Sequence, residues 1–132
     1  LGVQCMTCLV LFCDSCNPLL RWLRKGFGHV AIALPTSNGV IVVDPAGSGF
    51  KITEHIGETI GSVCYLAGRK NVTSIASQIH QHSTRCKVPF LFTCVETVKR
   101  ILGITAWWVI TPYQLHQYIE KQNRRQHGQH ET

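Results

Sequence analysis

Long apolar runs are missing from this sequence: nowhere do the roughly 18 uninterrupted apolar residues that a bilayer-crossing helix needs occur. A helical membrane span is therefore not expected. Acidic side chains are also scarce, seven Asp and Glu against thirteen Lys and Arg in 132 residues, and the net charge of +6 favours an anionic partner. The basic residues gather only mildly, at Arg21, Arg24 and Lys25 and again at Lys121, Arg124 and Arg125. They lack the interleaved aromatics of single-strand binders, which argues against nucleic acid as the partner. The first apolar stretch, Cys8 to Cys13, is shorter than a secretory core and no basic residues precede it, so no export signal is expected there. An even cysteine count is absent as well. With seven, a full set of internal disulfides is impossible, and a reducing, cytoplasmic compartment fits best.

What is present is a hydrophobic fraction of 45%, enough for one core, with no internal repeat. A single domain over residues 1–122 is expected, followed by a polar, flexible tail at 123–132. The apolar, β-prone run QCMTCLVLFC (Gln4–Cys13) ends in a turn cluster at Asp14, Ser15, Asn17 and Pro18, and reads as a strand. HVAIAL and GVIVVDP flank PTSN, which reads as a hairpin with a four-residue loop, Pro35 to Asn38. Lys51–His55 and Ser62–Leu66 (SVCYL) read as further strands, and Val72, Ile75, Ala76 and Ile79 fall at helical spacing from Asn71 to about Gln81.

TCVETVKRILG (Thr93–Gly103) carries the clearest helix signals, with Thr93 as N-cap, Glu96 completing a capping box and Gly103 as the stop. Val95, Val98 and Leu102 form its apolar face. Trp107–Ile110 reads as a short strand, and Thr111, Pro112 and Gln114 open a last helix running to about Gln122. The expected class is α+β, a small antiparallel sheet flanked by helices.

One constellation carries chemistry. Cys94 falls at a helix start, where unsatisfied backbone N–H groups and the positive end of the dipole favour a thiolate. His29 shares a strand face with Ala31 and Ala33, two small side chains that leave room beside an imidazole. A four-residue loop places Leu34 opposite Gly39 and Asp44 opposite His29, on one face of the hairpin. A nucleophile, a base and an orienting polar group are the parts that thiol catalysis requires.

GFGHVAIAL, GVIVVDP and FTCVETVKRILGI, in that order, resemble the circularly permuted branch of the NlpC/P60 papain-like superfamily, to which lecithin retinol acyltransferase-like proteins belong. TPYQLHQYI is similar to the end of uncharacterised bacterial and phage proteins with this pattern. The resemblance implies Cys94 as nucleophile, His29 as general base and Asp44 as orienting residue, a peptide, amide or acyl-ester substrate, and no cofactor or metal. It implies a cysteine-dependent hydrolase or acyltransferase, cytoplasmic, or virion-associated or in the host cytoplasm if phage-encoded. The alternative on the same fold is a non-catalytic virion-associated or regulatory binding module. The acyltransferase relatives carry Asn where Thr93 stands and commonly His where Asp44 stands, so their substrate is not carried over.

A cysteine-rich metal protein is the remaining alternative. Cys5, Cys8, Cys13 and Cys16 form two C-x-x-C pairs, but only LVLF separates them, and on a strand Cys5 and Cys13 face opposite to Cys8 and Cys16. His55 and Cys64 have neither a helix start nor an orienting group. His80, His82, His116, His127 and His130 read as solvated. Trp107 and Trp108 are expected to pack the core and edge.

Overall fold

Strand β1 (Met6–Cys13) lies inside the sheet, with β2 (His29–Pro35) on one side and β5 (Thr73–Ile79) on the other. Beyond β2 come β3 (Gly39–Ala46) and the edge strand β4 (Gly49–Ile56), giving the order β4-β3-β2-β1-β5 with every neighbour antiparallel. The computed structural model describes residues 6–14, 23–46, 49–79 and 94–129. Among these, the five strands are joined by three helices, α1 (Ile60–Arg69), α2 (Cys94–Leu102) and α3 (Pro112–Gly128), so the chain is an α+β protein.

Alternation along the strands divides the core into two layers. Cys8, Val10 and Phe12 of β1 join Val30 and Ile32 of β2 on the face covered by α2 and α3, where Val95, Val98, Leu102, Leu115 and Ile119 complete the packing. Leu9, Ala33 and Val40 face the other way, against Ile60 and Val63 of α1. A fully buried Val, Leu, Ile or Phe contributes about 1.5–3 kcal/mol, so the α2–α3 face holds most of the stabilisation. Val95, Val98 and Leu102 are buried as their spacing predicts. Gly103 ends α2 at φ +76, with its N–H donating to Arg100 and that of Ile104 to Lys99. Thr93, the expected N-cap, lies outside the described residues.

Three elements differ in kind from their sequence reading. SVCYL is not a strand but the middle of α1. Thr59 and Ser62 form a reciprocal capping box, the Ser62 N–H donating to Thr59 Oγ1 at 3.1 Å and the Thr59 N–H to Ser62 Oγ at 2.9 Å. Ile60, Val63 and Ala67 then share the inner face. Asn71 does not open a helix; it closes this one. At φ +57 it occupies the left-handed C′ position, with N–H donations from Asn71 to Gly68 and from Val72 to Ala67 completing a Schellman motif. Residues 73–79, expected to be helical, form β5 instead. Ile75 and Ile79 pack on the α2–α3 core in a period-two pattern, and β1 supplies the ladder from Met6↔Ile79 to Phe12↔Thr73.

Trp107–Ile110 makes no strand, because it crosses from α2 to α3 with no sheet edge to pair with. The carbonyl of Val109 accepts from Lys99 Nζ at 3.0 Å instead. The expected capping box of α3 is present at Thr111 and Gln114, but the helix continues to Gly128, into the segment expected to be flexible. Asn123 Nδ2 donates to the Ala76 carbonyl at 2.8 Å, tying this stretch to β5, and Arg124 pairs with Glu120 at 2.8 Å. Among the described residues no helix is long and apolar enough to cross a membrane.

Candidate active site

His29 opens β2, and the residues before it are firmly held. The N–H of Gly28 donates to the Cys13 carbonyl at 2.9 Å, and that of Gly26, in a left-handed turn at φ +83, to Asp14 Oδ1 at 2.5 Å. Phe27 packs its ring against Phe12, Tyr113 and His116, with centroids 5.1–5.5 Å apart. His116, expected to be solvated, thus belongs to an aromatic cluster beneath the site. The rigid approach sets the imidazole at the end of the sheet.

The hairpin loop closes one residue later on each side than its sequence suggests. Pro35 faces Val40, Leu34 faces Ile41 and Ile32 faces Val43, while the N–H of Thr36 donates to the Gly39 carbonyl at 2.8 Å. Gly39 pairs with Ile56 of β4, where a Cβ would stand 2.1 Å from the His55 carbonyl oxygen, so only glycine fits this approach. One further step of that register sets Asp44 across from Ala31, not from His29. Because the displacement is two residues, Asp44 stays on the His29 face. The two side chains meet diagonally, His29 Nε2 and Asp44 Oδ1 being 2.5 Å apart.

Cys94 is the first residue of α2 and is half-buried. Burial alone pushes its thiol up. A hydrogen bond with His29, backbone N–H groups of Val30 and Val95, and the nearby imidazolium charge pull it down further, leaving it below the ordinary thiol value. His29 moves the opposite way, to about 9: its bond with Cys94 raises it most, burial lowers it, and the bond with Asp44 raises it again. Asp44 holds the ring at Nε2. The lowered thiol and the raised imidazole together favour a thiolate–imidazolium pair, a nucleophile beside an acid. The structure therefore brings together all three residues singled out from the sequence.

Two features in and around the site escaped the sequence reading. The Val30 N–H carries no side-chain signature, and its role depends on how α2 docks on β2. Lys99, in the middle of α2, is buried at 3% exposure, bonded to Glu96 at 2.8 Å and to the Val109 carbonyl. The bond to Val109 ties α2 to the turn that follows it.

The other candidates are not drawn into this site. Cys64 is exposed, its sulfur 3.4 Å from the Ser74 hydroxyl, and His55 is exposed on the edge strand. Cys8 is buried on the α2–α3 face and donates to the Ser77 carbonyl. Cys13, by contrast, is the direct cross-strand partner of His29 and shares its face of the sheet. Cys5 and Cys16 lie outside the described residues, as do His80, His82 and His130. Among the described residues no three His, Cys, Asp or Glu side chains gather as metal ligands. Comparisons with protein-family models, curated proteins and solved structures found no match.

Proposed function

We propose that this protein is a cysteine-dependent hydrolase or acyltransferase acting on an amide, ester or thioester through a covalent acyl-enzyme. The observation that carries the reading is the position of one imidazole: His29 Nε2 meets Asp44 Oδ1 at 2.5 Å, and the ring and the Cys94 thiol, at a helix start, shift each other's acidity in opposite directions. The chain order supports a permuted papain-like architecture, since the strand-borne histidine and acid precede the helix-borne cysteine. The Cys94 sulfur attacks the carbonyl carbon, forming a C–S bond, and the oxyanion is met by the Cys94 backbone N–H. As the bond to the leaving group breaks, the His29 imidazolium protonates it. The neutral imidazole then takes a proton from water, or from an acceptor, which attacks the thioester and releases Cys94. Asp44 holds the ring in one orientation throughout.

A chromogenic p-nitrophenyl ester tests this directly. The expected result is a burst of p-nitrophenol equal to the enzyme present, with the acyl group found on Cys94 by mass spectrometry and no burst from Cys94→Ser. Iodoacetamide should label Cys94 ahead of Cys8, Cys13 and Cys64 well below pH 8. Equal reactivity of all the thiols, with no acylation, would assign the fold to a binding module.

A further inference from the structure

The turn between α2 and α3 directs its largest side chains at solvent. Ala106 and Val109 face the core, whereas Trp107, Trp108 and Ile110 stand 79%, 56% and 57% exposed. Three large apolar side chains side by side on a surface do nothing for the fold and mark a contact surface. The projection is fixed rather than frayed. The Val109 N–H donates to the Ala106 carbonyl, the Val109 carbonyl accepts from buried Lys99, and the indoles of Trp107 and Trp108 meet edge to face at 6.1 Å.

Cations flank this wedge. Trp108 lines one wall of an open groove of about 550 Å³, and the opposite wall is a stripe of α3 carrying Tyr118, Lys121 and Arg125. Those three fall at i, i+3 and i+7, so one helix face presents a phenol and two positive charges beside Trp108. Indoles and phenols prefer the boundary between water and lipid, and Lys and Arg beside them meet anionic headgroups. An acidic protein segment would satisfy the two cations, but a protruding pair of indoles suits insertion into a soft interface better than docking on a closed surface.

We propose that Trp107, Trp108 and Ile110, with Lys121 and Arg125, dock this protein on bilayers containing anionic phospholipid. α2 runs about 13 Å from Cys94 to Leu102, and the wedge follows its C-terminal end whereas Cys94 opens its N-terminal end. None of the docking residues is Cys94, His29 or Asp44, so the proposal stands apart from the catalytic reading.

Co-sedimentation of the full chain with vesicles tests it, using phosphatidylcholine alone against phosphatidylcholine carrying roughly 30 mol % phosphatidylserine. Binding is expected only to the second, weakening as salt is raised, with about a five-fold loss of affinity for each of Lys121→Gln and Arg125→Gln. Brominated phospholipid should quench tryptophan emission in the wild type and much less in Trp107→Ala/Trp108→Ala, which should no longer sediment while keeping a native circular dichroism spectrum. The Gln variants and wild-type quenching decide the matter should the double Trp variant misfold. Absence of binding, equal binding to uncharged vesicles, or no quenching would overturn the proposal. A concentration-dependent dimer lost in the Trp variant, without vesicle binding, would assign the patch to a second copy of the chain instead.

Discussion

His29 and Asp44 meet across a diagonal of the β2–β3 hairpin, their side chains 2.5 Å apart although their backbones are not directly opposed. Asp44 is 39% exposed at its side chain, against 23% for His29, so solvent screens part of the pairing. Its main effect is then orientation. Asp44→Asn should lower acyl turnover about ten-fold, the low end for loss of a charged hydrogen bond, while leaving Cys94 labelling at high pH unchanged. Loss of labelling and turnover together would show instead that the hairpin end had come apart.

The proton distribution at the site has a consequence for pH dependence. His29 is raised from 6.5 to about 9, so the stability its protonated form contributes is complete below pH 6.5 and is lost as pH rises through about 9. Cys94 is lowered, so its ionised form persists to lower pH than that of an ordinary thiol. Turnover of an acyl substrate should fall above about pH 9, where the proton for the leaving group is gone, while alkylation of Cys94 does not. Turnover that kept rising beyond that point, as for a free thiol, would remove His29 from the proton-donor role.

Replacing His29 itself by Ala removes the principal group that pulls the Cys94 thiol down against burial. Iodoacetamide labelling of Cys94 near neutral pH should slow by about ten-fold or more, with the circular dichroism spectrum retained. A labelling rate equal to that of the wild type would mean that the helix start and the Val30 N–H activate the sulfur unaided.

Buried Lys99 should matter for stability. Lys99→Met takes the ammonium from Glu96 and from the Val109 carbonyl, both in low-exposure surroundings. Removal of one member of such a pair costs about 3 kcal/mol, and Tm should fall by about 10 °C. A Lys99→Met/Glu96→Gln double variant should recover part of that loss in thermal unfolding.

At Asn71 the expectation follows from backbone geometry. Its φ of +57 is a region that a Cβ without a local hydrogen-bonding side chain opposes. Asn71→Ala should cost about 1 kcal/mol in denaturant titration and Asn71→Gly close to nothing, whereas equal effects would place the Schellman motif elsewhere.

The site was readable from the sequence because its elements obey local rules. Period-two alternation puts His29 and Asp44 on one face whether the hairpin closes at Asn38 or at Gly39, since the two registers differ by an even number. The helix signals around Cys94 and Gly103 likewise depend on residues within one turn of each other. SVCYL and TSIASQI exchanged their expected classes for the opposite reason: both are short apolar runs compatible with either period, and their capping signals, Thr59 with Ser62 and then Asn71, are of weaker residue types than Glu or Gly.

By itself the sequence determined an α+β chain, the β2–β3 hairpin with its shared face, the stop at Gly103 and the capping box that opens α3, all interactions between residues close together along the chain. Only the tertiary structure decided that residues 73–79 extend along β1, that Lys99 is buried and Trp107 and Trp108 are not, and that the Val30 N–H meets the Cys94 sulfur. Each of those rests on which distant segment is available to pair with a strand edge or to cover a helix face, and no local pattern encodes that choice.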